Sequence, residues 1–151
     1  MQKKLIYNYL TDDELLRISN AIKQVEKATA GEIRVSIKEK RPFLNNASIY
    51  ELAKKEFYKL GVDKTRDKTG ILIFILLDKK QFYILADEGI NEIVAENTWD
   101  GIKNEMEKRF KEGNFCKGII HGITEVGKLL SKHFPIKPDD TNELSNEVVL
   151  D

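Results

Sequence analysis

The sequence predicts an α/β fold, a three-layer α/β/α sandwich around a small mixed sheet, with elements in the order α-β-α-β-β-α-α. Residues 71–77 are seven consecutive apolar residues, too few to span a bilayer but rich in β-branched and aromatic side chains. They predict a strand that is buried on both faces. Residues 81–87 carry apolar side chains on each face, and residues 78–80 form a turn between the two runs. The two runs therefore predict a hairpin.

The first helix begins at a predicted capping box. Thr11 can cap the helix and Glu14, three residues later, can close the box. Apolar residues then recur at helical spacing, and the helix ends near Gly31; these residues are Leu15, Ile18, Ile22 and Val25.

The second unit is a strand followed by a helix. Residues 32–38 alternate between apolar and polar, which predicts a strand near a sheet edge with one face wet or only partly covered. Residues 39–46 read as a loop. Ser48 and Glu51 predict a second capping box, and the helix spans about residues 49–60 before Gly61. Residues 62–69 contain five charged residues and predict an exposed loop.

Two helices and a tail follow the hairpin. The third helix starts near Thr98 with Trp99 as a core anchor, and the fourth starts at Phe115. Gly118 and Gly122 lie one turn apart in the fourth helix and predict close packing of another element. We expect one domain over residues 1–134. Residues 135–151 are predicted to be an acidic, extended or mobile tail, in which residues 148–150 can dock.

Composition excludes several classes of function. Cys116 is the single cysteine, which rules out an internal disulfide framework and a cysteine-rich zinc site. The 25 basic and 25 acidic residues balance, so no overall field recruits nucleic acid. No apolar run has the length of a signal peptide core or a membrane span. We expect a cytoplasmic monomer with no transmembrane segment.

The predicted topology gathers acidic residues at one margin of the sheet. If the first two strands are parallel and the third is antiparallel, the first two strands start at the margin where the third ends. Carboxylate oxygens there would suit Ca²⁺ or Mg²⁺, and the predicted ligands are Glu32, Asp67, Asp87 and Glu88, with Glu92 nearby. The alternative is a solvated, ion-paired margin, because Lys64, Arg66 and Lys68 stand beside these acids.

Several short motifs in a fixed order resemble the TPM domain. They are LTDDE at residues 10–14, TAGEI at 29–33, GV at 61–62, GIL at 70–72, ADEGI at 86–90 and FKEGNF at 110–115. The resemblance covers about residues 10–134 and implies an α/β sandwich. Some relatives of the photosynthetic lumen are acid phosphatases with a role in photosystem repair, and others accompany membrane proteins. This chain resembles a cytosolic bacterial branch of the family.

The chain departs from the family pattern at two positions. The family often reads Asp-Asn-Gly before the second strand, where this chain has Lys68, Thr69 and Gly70, and it often has an acid where this chain has Asn91. Two acids that the resemblance implies for a metal site are therefore replaced. Neighbouring acids could compensate, although a lysine repels a cation and attracts a phosphate.

Two functions follow from these patterns. The first is a non-catalytic binding or adaptor domain for a protein or membrane-associated partner. The alternative is a metal-dependent phosphatase of low efficiency. In it, Asp87 and Glu88, helped by Glu32 or Asp67, would hold a cation while Arg66 or Lys68 would contact the phosphate.

Overall fold

The computed structural model describes residues 5–40, 46–136 and 145–151. Within these ranges the chain forms five α-helices and a four-stranded mixed sheet, which confirms the predicted α/β sandwich. The helices are α1 Asp12–Glu26, α2 Ile49–Lys59, α3 Glu88–Asn91, α4 Thr98–Lys111 and α5 Phe115–His133. The strands are β1 Glu32–Lys38, β2 Gly70–Leu76, β3 Gln81–Ala86 and β4 Val149–Leu150. Short 3₁₀ turns lie at Leu5–Asn8 and Val62–Lys64.

The sheet has the strand order β3-β2-β1-β4. β1 runs parallel to β2, with Glu32 opposite Gly70, and β2 runs antiparallel to β3, with Ile71 opposite Ala86. All seven residues of β2 are buried. The hairpin and the two-sided burial of its first strand are therefore confirmed.

Helices cover the two faces of β2. Leu72, Phe74 and Leu76 pack with the buried side chains of α2. Ile71, Ile73 and Ile75 belong to a larger core with α1, α4 and α5. Alternate residues of one strand thus join the two outer layers.

Local sequence signals place the helices well. The Thr11 hydroxyl accepts a hydrogen bond from the Glu14 amide at 3.1 Å, while the Thr11 amide donates to Glu14 Oε1 at 3.0 Å. The predicted close packing at α5 is also confirmed. A methyl group built on Gly122 would lie 2.6 Å from Met106 Sδ, and one on Gly118 would lie 2.4 Å from the Phe110 ring. These glycines let α4 approach α5 closely.

The face of β1 predicted to be wet is more covered than expected. Ser36 is fully buried, and its hydroxyl donates a hydrogen bond to Glu56 on α2. β4 pairs in parallel with Ser36 and Ile37, so β1 is an inner strand.

The end of the chain pairs with β1, a location that the sequence did not predict. The Asp151 amide donates to the Ile37 carbonyl at 2.9 Å, and the Glu39 amide donates to the Asp151 carbonyl at 3.1 Å. Residues 137–144 of the predicted acidic tail lie outside the described residues, and so does the 41–45 part of the predicted loop. No helix in the described ranges is both long and apolar enough to cross a membrane.

Glu26 is the last residue of α1 and lies near the start of β1. Its Oε2 accepts a hydrogen bond from the Ile33 amide at 2.8 Å. The pKa of this carboxyl is raised to about 8, chiefly by burial; the Ile33 hydrogen bond acts in the opposite direction, and the nearby charge of Glu32 adds to the rise. The folded chain therefore holds a proton at neutral pH that the unfolded chain releases.

We predict that this proton makes the fold less stable as pH rises. The stabilising contribution of Glu26 is complete below the ordinary pKa of 4.5 and is lost as pH rises through about 8. The slope is at most about 1.4 kcal/mol per pH unit for one proton. Glu26→Gln keeps an acceptor for Ile33 and should flatten this slope in urea unfolding at pH 5.5, 7 and 8.5. The exposed Glu107→Gln is the control, and equal slopes in wild type and Glu26→Gln would contradict the prediction.

Candidate functional site

Three strand ends meet at one margin of the sheet. The Glu32 amide donates to the Thr69 carbonyl at 3.1 Å, and the Asp87 amide donates to the Gly70 carbonyl at 2.9 Å. The backbones that start β1 and β2 and end β3 therefore lie side by side. Strand pairing alone produces this arrangement.

The side chains at this margin separate into smaller groups. The charge of Glu32, which is 3% exposed, raises the pKa of Glu26. Asp67 is exposed and forms an ion pair with Arg66 at 3.1 Å. Asp87 caps α3, its Oδ1 accepting from the Glu88 amide at 2.8 Å.

The structure therefore does not bring Glu32 and Asp67 together with Asp87 and Glu88 as one set. Within residues 5–40, 46–136 and 145–151, no three His, Cys, Asp or Glu side chains form a group that could hold a metal ion. The metal assignment of these four acids, and the phosphate contacts of Arg66 and Lys68, stay predictions.

The loop of residues 62–69 is not simply exposed, and that part of the sequence analysis was wrong. Val62, Thr65 and Thr69 are buried. The Thr65 hydroxyl accepts a hydrogen bond from the Thr69 amide at 3.1 Å, which closes the loop on itself. Charged side chains dominate the pattern, but three residues between them anchor the loop to the sheet.

Gly89 lets α3 approach this loop. A methyl group on Gly89 would lie 2.5 Å from the carbonyl oxygens of both Asp67 and Lys68. Lys68 itself has a left-handed backbone, with φ of 58°, a conformation uncommon outside glycine. Two backbone carbonyl oxygens are thus held against the start of α3, close to Asp87.

Asp63 is the residue at this margin that sequence analysis missed. Oδ1 of Asp63 and Oδ2 of Asp87 are buried, and neither oxygen has a hydrogen-bond partner among the described residues. Burial raises the pKa of Asp87, the Glu88 amide and the Lys68 charge lower it, and the charges of Glu88 and Asp63 raise it. The only sequence signal was the position of Asp63 in the charged loop, because its 3₁₀ turn at Val62–Lys64 has no clear pattern.

The oxygens at this margin are of the chemical type that hard cations prefer. Two buried carboxylate oxygens without partners, together with the two carbonyl oxygens near Gly89, are donors of the kind that Ca²⁺ and Mg²⁺ prefer. Lys68 already supplies a positive charge here, and its Nζ donates to the Asp63 carbonyl at 2.8 Å. A bound cation would have to displace or tolerate that ammonium group.

A groove opens beside the acidic margin, between α2 and α3, and we name it the α2–α3 groove. Its volume is about 430 Å³. Its walls and floor are Tyr50, Lys54, Phe57, Tyr58, Leu85, Ala86, Asp87, Glu88, Asn91 and Glu92. Two aromatic side chains of this lining are exposed, Tyr50 at 42% and Tyr58 at 55%.

Asn91, at one of the positions where the chain departs from the family pattern, has a structural role in this wall. Its Nδ2 donates to the Ala86 carbonyl at 2.8 Å and so links α3 to the end of β3. The side chain therefore fixes the angle of α3 against the groove floor.

A family model described as the TPM domain matches residues 7–129. The chain belongs to the TPM domain family. The NMR structure of the BA42 protein from the psychrophilic bacterium Bizionia argentinensis is 36% identical, with a TM-score of 0.85 over 95% of this chain and 96% of that one. The solution NMR structure of the N-terminal domain of a P. gingivalis protein is 16% identical, with a TM-score of 0.68 over 83% of this chain and 79% of that one. No curated protein matches the chain.

We predict that the acids at the margin of this TPM domain destabilise the fold in the absence of a cation. Asp87→Asn retains a capping side chain for Glu88 and removes the repulsion from Asp63. It should raise the free energy of unfolding at pH 7 by up to about 1 kcal/mol, the scale of a partly exposed charge pair. Because burial raises the folded pKa of Asp87 above its ordinary value of 3.8, the gain should grow as pH rises above that value.

The matched control is Asp67→Asn in the facing loop. Its carboxylate is exposed and paired with Arg66, so the same substitution should leave stability unchanged or slightly lower. Urea unfolding in a chelating buffer measures both variants. If Asp87→Asn lowers the free energy of unfolding as much as Asp67→Asn does, the Asp87 charge does not destabilise the fold and the prediction is wrong.

Proposed function

We propose that this TPM domain is a non-catalytic binding or adaptor domain that works as a cytoplasmic monomer and takes a protein or membrane-associated partner in the α2–α3 groove. The observation that carries the proposal is the pair of exposed tyrosines, Tyr50 and Tyr58, on the wall of a groove of about 430 Å³. Exposed aromatic side chains with a polar rim are a common feature of interaction surfaces.

The fold presents these tyrosines in a fixed arrangement. Tyr50, Lys54 and Tyr58 follow one another at four-residue steps, so they share one side of α2. The Tyr50 ring contacts Tyr83 with centroids 5.3 Å apart, and the Tyr58 ring meets the buried Phe57 edge-on at 5.6 Å. Aromatic side chains held in this way lose little conformational entropy when a partner binds.

We predict that tyrosine substitutions in the groove weaken retention of a specific partner. Tyr50→Ser and Tyr58→Ser should each weaken capture from an extract of the native host by about tenfold, the scale of an aromatic anchor at an interface. Tyr7→Ser is the matched control, because Tyr7 is 51% exposed and lies on the separate Leu5–Asn8 turn. Circular dichroism confirms that each variant is folded. Equal capture by wild type and both groove variants would rule out the groove as the interaction surface.

The Asp63 and Asp87 oxygens favour a second candidate, the metal-dependent phosphatase of low efficiency. A hard cation, when bound, would supply Lewis-acid stabilisation of a phosphoryl oxygen. In this chain, Asp63 and Asp87 would hold the cation, and the Lys68 ammonium would neutralise phosphate charge. Arg66 already pairs with Asp67, so a phosphate would have to compete with that carboxylate.

We predict for this candidate that hydrolysis of an aryl phosphate requires Mg²⁺, Mn²⁺ or Ca²⁺. Asp87→Asn and Asp63→Asn should each lower it by at least about a hundredfold, with Asp67→Asn as the control in the same loop. Calorimetric titration of each cation into the same variants shows whether binding and activity are lost together. Hydrolysis that is unchanged in Asp87→Asn would remove this candidate.

A further inference from the structure

The α2–α3 groove joins two surfaces of different chemistry. One wall is the aromatic side of α2, with Tyr50 and Tyr58 exposed. The other is the start of α3, where Glu88 and Glu92 are exposed four residues apart on the same side of the chain. An aromatic wall facing an acidic wall is complementary to a group that is both cationic and flat.

The charges on the groove favour a cation over an anion. Asp87, Glu88 and Glu92 contribute to the lining, and Lys54 is the one basic residue among the lining residues. The neighbouring carboxylates of Asp87 and Glu88 repel each other, because the charge of Glu88 raises the pKa of Asp87. A cation between these walls would relieve that repulsion.

The chain itself already places a cation on the aromatic cluster. Lys103 of α4 lies with its Nζ 5.9 Å from the centroid of the Tyr83 ring, and Tyr83 contacts Tyr50 of the groove wall. Cations within about 6 Å of a ring centroid are attracted by the electron-rich ring face. Lys103 takes the face of Tyr83, which is not part of the groove lining, while the exposed rings of Tyr50 and Tyr58 line the groove itself.

We propose that the α2–α3 groove binds an arginine side chain carried by an extended segment of the partner protein. This inference rests on the proposed binding function and adds the chemical class of the partner. A guanidinium group can stack on a tyrosine ring and donate paired hydrogen bonds to a carboxylate, which lysine cannot do with one nitrogen. The volume, about 430 Å³, lies at the lower end of the range for small-ligand sites, about 300–1,000 Å³. It suits one or two side chains of an extended segment rather than a helix about 10 Å across.

Lys54 limits the affinity of the groove for arginine. It lies on the aromatic wall between Tyr50 and Tyr58, so its ammonium group repels an incoming cation. Removing the charge of Lys54 should strengthen the binding of arginine and weaken the binding of any anion. This opposite sign separates the two kinds of ligand.

The test uses the full chain in a chelating buffer, so that no divalent cation changes the charge of the margin. The probe is the blocked peptide acetyl-Ala-Ala-Arg-Ala-Ala-amide, with versions in which Arg is replaced by Lys, Gln or Glu. Amide NMR shifts report the site and the affinity. We expect shifts at Tyr58 and Glu92 with the arginine peptide, and binding about tenfold weaker with glutamine, about 1.4 kcal/mol.

Variants of the chain decide whether the groove is responsible. Glu92→Gln and Tyr58→Leu should each weaken the arginine peptide by about threefold to tenfold, and Lys54→Gln should strengthen it by about threefold. Glu96→Gln is the matched control, because Glu96 is exposed four residues further along the chain and is not part of the groove lining. Tyr58→Leu keeps apolar area while removing the tyrosine ring.

Three results with the peptides would overturn the inference. They are equal binding of the arginine and glutamine peptides, weaker arginine binding in Lys54→Gln, and stronger binding of the glutamate peptide than of the arginine peptide. Sedimentation with phosphatidylserine vesicles that Lys54→Gln abolishes would also overturn it, since it would show an anionic surface as the ligand.

If partner capture depends on Tyr58 while the arginine peptide does not bind, the binding function stands and only the arginine assignment fails. If the peptide binds but partner capture is unchanged in Tyr50→Ser and Tyr58→Ser, the proposed function fails instead.

Discussion

The structure depends on the burial of β2 on both faces. Every residue of this strand is buried, with alternate side chains shared between α2 on one face and α1, α4 and α5 on the other. Because helices cover both faces, β2 is open only at its two edges, where it pairs with β1 on one side and β3 on the other. These two pairings bring the ends of three strands to one margin. The acidic loop, the start of α3 and the groove all lie at that margin.

Much of this fold could be predicted because its signals are local. Each of these signals predicts structure from residues that are close together in the sequence. They are a seven-residue apolar run, two capping boxes and two glycines one turn apart. The docking of β4 is different, because two residues at the end of the chain pair with a strand more than a hundred residues earlier. The buried state of Ser36 likewise depends on Glu56, which lies on another element.

The candidate site was predicted less completely for the same physical reason. Strand order decides which backbones meet, and it correctly placed Glu32, Gly70 and Asp87 side by side. Side-chain contacts depend on how the loop folds, and nothing in its charged pattern shows that Thr65 is buried or that Asp63 has a buried carboxylate oxygen. The charged pattern of the loop could therefore indicate where acidic residues gather, but not which of their oxygens are buried. Lys68 is a cation that the chain itself supplies to this margin.

We propose above all that partners bind through the aromatic wall of the α2–α3 groove. The most direct measurement replaces Tyr58 by a photoreactive benzophenone amino acid in the native host and identifies the cross-linked segment by mass spectrometry. The same replacement at Tyr7 gives the background. We expect one dominant adduct from position 58, absent from position 7, whose cross-linked segment contains arginine. Equal adducts from both positions, or a dominant segment without a basic residue, would contradict the proposal.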